Sequence, residues 1–400
     1  MNLTEQHILP KTQEIDSLCF ASKNLYNACL YVAKQHFFKT QKYIGFKELS
    51  NKIKIQDCYK QLPIKVSQLV VKQVHDTFIS FFHALQAYKA NQTKFTGRPN
   101  IPKYMDGIKG RNVLNYNNQA FSRIQLKKGI INPSGTNLFI RTKQKNIVAV
   151  RIMPHTNNIC VDIIYTKEEQ DLQLNKENIL SIDIGIDNFS TITSNKQGFQ
   201  PLLVKGGVLK SINQFYNKKK AIYQSQLNVN QFESNKIEQL TNKRNRKIKH
   251  YLHHVSKFVI DLCIKNDTGT IVIGKNDNWK QNVNIGRRNN QNFVQIPFNT
   301  FINQIKYKAL LAGINVITRE ESYTSKCSFL DQESICKHDT YLGKRIKRGL
   351  FRSAFGRLIN SDVNGSYNIM LKEFPNVVSN NKHGIEGFVV NPMTLNSFRA

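Results

Sequence analysis

Two aspartates occupy positions where a carboxylate is either costly or chemically useful. Asp183 lies between Ile182 and Ile184 in an apolar run typical of a strand, where an unpaired buried charge is expensive. Asp362 lies in the sequence NSDVNGSYNIM, at the start of a predicted helix. Cleavage of a phosphodiester by two metal ions about 4 Å apart requires carboxylates from separate elements that converge on the ions. The two aspartates are candidate ligands of this kind.

Each aspartate also has a purely structural explanation. The Asp183 carboxylate could accept hydrogen bonds from turn amides at the end of its strand, and on spacing alone this explanation and metal binding are equally good. Asp362 could cap the helix that follows it, a position that aspartate strongly favours. For Asp362 considered by itself, capping is the better explanation.

The balance of charge predicts the kind of partner. The 400 residues include 58 Lys and Arg against 27 Asp and Glu, which gives a net charge of +31. A positive charge of this size favours a polyanion, either nucleic acid or an anionic membrane surface. No apolar stretch approaches the roughly 20 residues of a membrane-spanning helix, and the chain starts with neither a signal peptide nor an Arg-rich presequence. Seven scattered cysteines fit a reducing compartment, so we expect a soluble, cytoplasmic protein that binds nucleic acid and no membrane.

Two runs of basic side chains border the segments that carry the acidic candidates. A run of charge is usually only a solvated surface, but these runs lie where a polyanion would have to pass to reach the aspartates. Phosphate contacts release counterions and make binding depend on salt. The candidate nucleic-acid-binding residues are Lys218, Lys219, Lys220, Lys243, Arg244, Arg246, Lys247, Lys344, Arg345, Lys347, Arg348 and Arg352.

Three residue patterns divide the chain. Residues 14–91 have apolar side chains at steps of three and four, which predicts helices that pack on each other. From about residue 95, short alternating runs predict a small β-rich module. From residue 176, a meander of three strands precedes helices that alternate with the strands TIVIG and INVITRE, and a last helix starts at about residue 362. This order of elements is that of an RNase H-like fold.

Several ordered motifs together resemble the OrfB/TnpB proteins of bacterial insertion sequences, which are relatives of the type V CRISPR nucleases. Residues 181–188 (SIDIGIDN) are similar to the first RuvC motif of that family, and residues 362–369 (DVNGSYNI) are similar to its third. The resemblance covers nearly the full chain. The other similar segments are LYNACLYVAKQ (25–35), KFTGRPNIPKY (94–104), YTSKC (323–327) and KRGLF (347–351).

The resemblance implies a multidomain α+β fold. A helical recognition lobe and a small wedge β-barrel would precede an RNase H-like (RuvC) α/β nuclease domain with helical and basic-loop insertions. The implied divisions are the start of the wedge domain at 1–12, the recognition lobe at 13–92, the wedge barrel at 93–175, and the nuclease domain at 176–400 with a degenerate zinc-finger-like insert near 325–345.

The resemblance also implies an RNA-guided DNA endonuclease encoded by a transposable element. A guide RNA from the element's own end would pair with the target strand, while the protein reads a short adjacent motif in the double-stranded DNA. Asp183, Glu321 and Asp362 would hold two Mg²⁺ ions, for which Mn²⁺ can substitute. In this family transposition is usually carried out by a separate transposase or recombinase, and the expected location is the nucleoid.

The sequence departs from the family pattern at the second RuvC motif. The family strand normally ends in Glu, whereas here TIVIG ends in Gly274, which cannot bind metal. A subset of the family carries a displaced Glu just before the Tyr-Thr-Ser segment, where this chain has Glu320 and Glu321. Successive side chains on a strand point to opposite faces, so we expect Glu321 to reach the metals, with Glu320 and Asp277 in reserve. The alternative is that both glutamates only balance nearby Lys and Arg.

A second departure concerns zinc. The family often carries two CxxC pairs between its second and third motifs, whereas this segment offers Cys327, Cys336 and His338. Two cysteines and one histidine at this spacing are too few for a closed tetrahedral site. We therefore expect an insert without zinc, and a partial site that borrows another ligand is the alternative.

Gly274 also keeps other classes of function open. A nuclease-dead RNA-guided DNA-binding protein, acting as a repressor or as an accessory to transposition, would tolerate the loss of a carboxylate. An autonomous DNA-joining transposase is the third hypothesis, although the chain lacks a recognisable tyrosine transposase signature.

Overall fold

The chain divides into two compact units, Met1–Lys167 and Glu168–Ala400, and each of them mixes helices and sheets. The multidomain α+β character predicted from the sequence is therefore confirmed. None of the helices in the described part of the chain combines the length and the hydropathy that a membrane-spanning segment needs. The structure, a computed structural model, describes residues 1–155, 158–276, 286–377 and 391–396.

The first unit carries a block of helices between the first strand and the later strands of one antiparallel sheet. The sheet has the order β1-β6-β5-β2, and β1 pairs with β6 from Asn2 opposite Thr166 to Pro10 opposite Asn158. Among the described residues β1 and β2 are the two edges of this sheet, so its closure into a wedge barrel stays a prediction. The elements are β1 (Asn2–Pro10), α1 (Gln13–Thr40), α2 (Phe46–Lys54), α3 (Asp57–Lys60), α4 (Ile64–Ala90), β2 (Leu114–Asn117), α5 (Arg123–Lys127), β3 (Ile130–Ile131), β4 (Ile140–Arg141), β5 (Ile147–Pro154) and β6 (Asn158–Thr166).

The helices of this unit form as the spacing of their apolar residues predicts. The Thr12 hydroxyl caps α1 by accepting a hydrogen bond of 3.3 Å from the Ile15 amide. Leu25 in α1 and Val66 and Val74 in α4 are completely buried where the two helices pack. Burying each such side chain stabilises the fold by about 1.5–3 kcal/mol relative to exposure.

An ion cluster fastens α1 to the segment that precedes β2. Arg111 donates hydrogen bonds of 2.8 Å to both carboxylate oxygens of Asp16, and the Lys11 ammonium lies 2.7 Å from one of them. The hydrogen bonds from Arg111, assisted by Lys11, hold the pKa of Asp16 at about 2, below its ordinary value of 3.8.

An Asp16→Asn variant should lower the free energy of unfolding by about 1.5–3 kcal/mol at neutral pH, because hydrogen bonds to charged groups contribute that much. Since the folded-state pKa is depressed, the carboxylate stabilises the fold above about pH 4, and the contribution is lost as the pH falls towards 2. Chemical denaturation across this pH range should show the gap between parent and variant closing. Asp57→Asn, which changes an exposed carboxylate, is the control, and equal losses in both variants would contradict the prediction.

The second unit is a mixed sheet with helices on both faces. Its described strands have the order β11-β10-β7-β8-β9-β15, and β12, β13 and β14 form a separate small sheet. The elements are β7 (Ile179–Asp183), β8 (Asn188–Ser194), β9 (Leu202–Lys205), α6 (Gly207–Ser225), α7 (Asn235–Lys265), β10 (Thr270–Gly274), α8 (Arg287–Gln295), α9 (Phe298–Leu310), β11 (Asn315–Arg319), β12 (Lys344–Lys347), β13 (Leu350–Arg352), β14 (Leu358–Asn360), α10 (Ser361–Glu373) and β15 (Met393–Leu395).

The strand directions place the ends of three strands at one edge of this sheet. β7, β8 and β9 form an antiparallel meander, whereas β10 is parallel to β7 and β11 is parallel to β10. Ile182 pairs with Ile273, so Asp183 and Gly274 end their strands side by side. The loop after β11 leaves the sheet at the same edge.

Alternation along β7 directs its side chains to two faces of the sheet. Leu180 and Ile182 join the apolar core that the sheet forms with α7 and α9. Ser181 lies on the other face, where its hydroxyl donates a hydrogen bond of 2.7 Å to the Ser366 carbonyl of α10. Because side chains alternate along a strand, Asp183 is directed to the α10 face as well.

Candidate active site

Helix α10 is fixed against the sheet beside Asp183. The Ser366 hydroxyl lies 3.2 Å from the Ser181 carbonyl oxygen of β7 and 2.9 Å from the Thr193 hydroxyl of β8. A Cβ atom added to Gly365 would lie only 3.0 Å from Oδ2 of Asp183. Glycine at this position therefore lets the helix backbone come close to the carboxylate.

Asp362 lies in the first turn of α10, but it does not cap the helix. The side chain of Asn360 is the cap, since it accepts hydrogen bonds from the amides of Asp362 (2.9 Å) and Val363 (3.2 Å). The alternative explanation, in which Asp362 only caps the helix, is therefore wrong. Its carboxylate instead accepts a hydrogen bond of 2.6 Å from Asn188 and lies 3.6 Å from Arg345.

Asn188 is a site residue that the sequence alone did not single out. It is nearly buried, its amide nitrogen donates to Asp362, and its amide oxygen accepts a hydrogen bond of 2.8 Å from Lys205. The lysine fixes which end of the amide faces the aspartate. Asn188 closes the SIDIGIDN motif, and a polar residue at the start of a buried strand is the signal that points to it.

Glu321 takes up the space that a side chain at Gly274 would need. A Cβ atom on Gly274 would lie 2.7 Å from Oε2 of Glu321 and 2.5 Å from Cδ1 of Ile369. Asn276 holds Glu321 in place, because its amide donates to Oε1 and its oxygen accepts from the Glu321 amide, both at 3.1 Å. A carboxylate thus stands at the end of β10 although the strand itself ends in glycine.

Glu320 is directed elsewhere. Its carboxylate accepts hydrogen bonds of 2.7 Å from Lys372 and 2.8 Å from the Ser322 amide, and a further bond from the Ser322 hydroxyl. These bonds, that of Lys372 first, lower the pKa of Glu320 to about 2. β11 ends at Arg319, so strand alternation does not apply to either glutamate, and loop hydrogen bonds separate them instead.

The site brings the carboxylates of Asp183, Glu321 and Asp362 close enough to affect one another in a partly buried environment. Burial, followed by the charges of Glu321 and Asp362, raises the pKa of Asp183 well above its ordinary value, and Arg345 offsets this only in part. Burial, followed by the charge of Glu320, raises the pKa of Glu321 to about 7. A cation in the site would relieve this repulsion.

The donor set fits a hard divalent cation. No group of three or more His, Cys, Asp or Glu side chains in the described ranges is arranged to hold one metal ion together. Mg²⁺, however, is commonly held by only one or two carboxylates, with phosphate oxygens and water as the remaining ligands. Asp183 and Asp362 line an open cleft of about 800 Å³ together with Asn188 and Arg345, which leaves room for a phosphate.

The segment that carries Glu321 is tied to α10. Asn364 donates a hydrogen bond of 2.9 Å to the Cys327 carbonyl and accepts one of 3.0 Å from the Phe329 amide. Asn368 donates to the carbonyls of Thr324 (2.8 Å) and Cys327 (2.7 Å). Residues 321–329 and α10 therefore form one packed piece, on which Glu321 and Asp362 are both mounted.

The remaining acidic and zinc candidates are placed differently. Asp277 lies outside the described residues. Sγ of Cys327 is buried and contacts the Cys336 carbonyl at 3.7 Å, whereas Sγ of Cys336 lies 3.4 Å from Nε2 of His338. That same nitrogen lies 2.7 Å from the Ser334 carbonyl oxygen, and a nitrogen that donates there has no lone pair for a metal. The geometry described here does not bring the three side chains together.

The predicted basic residues lie on several elements of the second unit. Arg345 and Arg348 line the cleft beside Asp183, and Arg348 forms an ion pair with Asp187, which also pairs with Lys210. The other residues lie on α6 (Lys218, Lys219, Lys220), on α7 (Lys243, Arg244, Arg246, Lys247), on β12 (Lys344, Lys347) and on β13 (Arg352).

If this site is the nuclease centre that the motifs predict, a Gly274→Ala variant should cleave DNA at least about tenfold more slowly, since mispositioning a metal ligand typically costs 10–100-fold. The added methyl group would displace the Glu321 carboxylate and press on Ile369. Ile369→Val removes the other close atom, so the double variant should regain thermal stability without regaining cleavage. Parental cleavage by Gly274→Ala would show that the position of Glu321 is unimportant.

Two families of known proteins match segments of the chain that lie mainly in the second unit. Residues 162–280 match the family described as probable transposase, OrfB_IS605, and residues 298–369 match the Cas12f1-like TNB domain. The CRISPR-associated endodeoxyribonuclease Cas12f1 of Sulfoacidibacillus thermotolerans is 30% identical over 132 residues, which are 32% of this chain and 28% of that protein. The match therefore spans less than a third of the relative's own length.

A solved structure extends the likeness to most of the chain. The cryo-EM structure of a Cas12f1–sgRNA–target DNA complex superposes with a TM-score of 0.56 and 13% identity, covering 90% of this chain and 83% of that chain. At this identity the likeness shows the fold alone. The two family matches confirm the resemblance to the OrfB/TnpB proteins that was found in the motifs.

Proposed function

We propose that this protein is an RNA-guided DNA endonuclease of the OrfB/TnpB type, with an RNase H-like (RuvC) domain that hydrolyses phosphodiester bonds. Three antiparallel strands followed by two parallel strands, with an acid at the end of the first, support this assignment. The names of the matching family and of Cas12f1 support the same class of activity.

One observation carries the proposal. The carboxylate of Glu321 lies where a side chain at Gly274 would be, at the edge of the sheet where Asp183 also ends its strand. Burial raises the pKa of Glu321 to about 7, and groups with perturbed pKa values cluster at functional sites. The nuclease-dead hypothesis rested on Gly274, and the position of Glu321 beside that residue supports the nuclease instead.

The proposed mechanism assigns each side chain a task. Asp183, Glu321 and Asp362 would hold two Mg²⁺ ions, for which Mn²⁺ can substitute, and bound ions of this kind activate water and stabilise the leaving oxygen. Asn188 orients Asp362 by a hydrogen bond of 2.6 Å. Arg345, whose guanidinium lies 3.6 Å from Asp362, is placed to neutralise charge that develops on the phosphate.

The first unit supplies the remaining parts of the proposal. Residues 1–12 and 93–175 form the wedge domain and residues 13–92 the recognition lobe, which is supported by the pairing of β1 with β6 across the inserted helices. Asn115 on β2 lies opposite Arg151 on β5, and both line a cleft of about 430 Å³ beside α4. Amide and guanidinium groups read base edges in the major groove, so we assign the reading of the adjacent DNA motif to this cleft.

The purified protein should carry RNA transcribed from its own gene's 3′ end, and its affinity for that RNA should fall steeply as salt rises. Six to ten phosphate contacts cost roughly 10³–10⁵-fold in affinity between 50 and 200 mM salt, and the net charge of +31 allows many contacts. A scrambled RNA of equal length is the control. Folded protein without affinity for its own transcript at low salt would overturn the guide assignment. The expected nucleoid location and the separate transposase, which we infer from the same family resemblance, would then lose support.

A further inference from the structure

A second cleft, distant in sequence from the carboxylates, lies between α6, α7 and the segment 291–300. Its volume is about 840 Å³, within the roughly 300–1,000 Å³ of sites that take small molecules. Its lining holds three cations, Lys220, Arg244 and Lys249, and none of the described residues that line it is Asp or Glu. The cleft is therefore an electropositive pocket.

Arg244 is built into the wall of this cleft. Its guanidinium donates hydrogen bonds to the side chains of Asn213 (2.8 Å) and Asn245 (2.9 Å) and to the Gln295 carbonyl (2.6 Å). These three acceptors are neutral, so the half-buried positive charge is oriented without being neutralised. A guanidinium has five N–H donors, and two therefore remain for a ligand. A partly desolvated charge of this kind is stabilised by an anion.

The rest of the cleft suits a flat, partly apolar group next to that anion. The ring of Tyr216 lies under both Arg244 and Lys220, at 5.6 and 5.9 Å from its centroid, and its hydroxyl lies 3.1 Å from that of Thr241. This arrangement holds the two cations on one side of the cleft. The lining also includes the apolar side chains of Ile248, Leu252, Val294 and Pro297 and the amides of Gln224 and Gln291.

We propose that this cleft binds one nucleotide, with the phosphate at Lys220 and Arg244 and the base against the apolar side chains of the lining. The amide side chains of the lining can hydrogen-bond base edges, whereas an inorganic anion would leave these amides unused. The nucleotide comes either from an unpaired position of an RNA strand or from the free mononucleotide pool. The RNA source rests on the proposed function, whereas binding of a free mononucleotide does not.

The test uses full-length protein freed of nucleic acid and titrated calorimetrically with AMP, adenosine, inorganic phosphate and the RNA pentamer A5 at low salt. AMP or the pentamer should bind at least tenfold more tightly than adenosine and phosphate. Lys220→Gln should weaken that binding about tenfold, as expected for one charge-assisted hydrogen bond, and Ala221→Glu should weaken it further by placing a negative charge in the cleft. Lys236→Gln, which removes an exposed charge from α7 outside the lining, should change it less than twofold.

The outcomes separate the sources and the two proposals. Binding of AMP that depends on Lys220 supports a mononucleotide site, and Lys220-dependent binding of the pentamer alone supports a nucleotide within a strand. If neither ligand responds to Lys220→Gln or Ala221→Glu in variants that unfold at the parental temperature, the inference is overturned. Repeating the titration in an Asp183→Ala background keeps the result independent of cleavage. Failure of the nuclease proposal would therefore not contradict the proposed nucleotide site.

Discussion

Cleavage by an Asp183→Ala variant should be at least about 100-fold slower than cleavage by the parent protein, while guide and target binding stay within about twofold. Loss of a residue that merely orients a metal ligand costs 10–100-fold, and Asp183 is proposed as a ligand itself. Its carboxylate ends β7, and burial, followed by the charges of Glu321 and Asp362, raises its pKa well above the ordinary value. Target cleavage and filter binding, measured on the same preparations with a verified guide, would check both parts.

Two comparisons sharpen this experiment. Asp362→Ala should behave like Asp183→Ala, whereas Asp261→Ala, which removes an exposed acid paired with Lys257 on α7, should cleave at the parental rate. Mg²⁺ or Mn²⁺ should support cleavage and Ca²⁺ should support it poorly, because its longer, more flexible coordination misplaces the nucleophile. If Asp183→Ala cleaves like the parent, the carboxylates described here are not the active site.

Glu321→Gln should abolish detectable cleavage, again by at least about 100-fold, and Glu320→Gln should cost less than about threefold. The amide keeps the shape of Glu321 and its contact with Asn276 but removes the charge that a cation needs. Glu320 loses only a half-exposed ion pair with Lys372, and such pairs contribute at most about 1 kcal/mol. The ratio of the two cleavage rates, normalised to target binding, is the measurement.

Other results of this pair would point to specific alternatives. If the two effects are reversed, Glu320 is the ligand and the loop rearranges when nucleic acid binds. If neither variant matters and the parent cleaves, Asp277 becomes the candidate. If the parent never cleaves with a verified guide and target, the nuclease-dead hypothesis is correct.

Pattern reasoning located the strands of the second unit because apolar runs such as TIVIG are bounded by polar turns. It also placed Asp183 in the first of these strands, between two apolar residues. These features depend on neighbours in the chain. Local periodicity is therefore sufficient to predict them.

Features that depend on the path of the backbone or on distant residues were beyond that reasoning. Asn360 takes the cap because its side chain reaches two amides of the next turn, and only the backbone path before α10 decides between Asn360 and Asp362. Glu320 and Glu321 point in different directions because different residues bind them. Lys372, 52 residues away in the chain, binds Glu320, and Asn276, 45 residues away, binds Glu321. The sheet of the first unit joins strands separated by more than a hundred residues, and its edges follow from that pairing alone.

The attachment of residues 321–329 to α10 has a consequence for protein engineering. Asn364 and Asn368 hold that segment, and Ser366 holds the helix on β7 and β8. A nuclease centre transplanted into another scaffold, or trimmed for delivery, would keep its spacing only if this segment, the helix and the two strands were moved as a single graft.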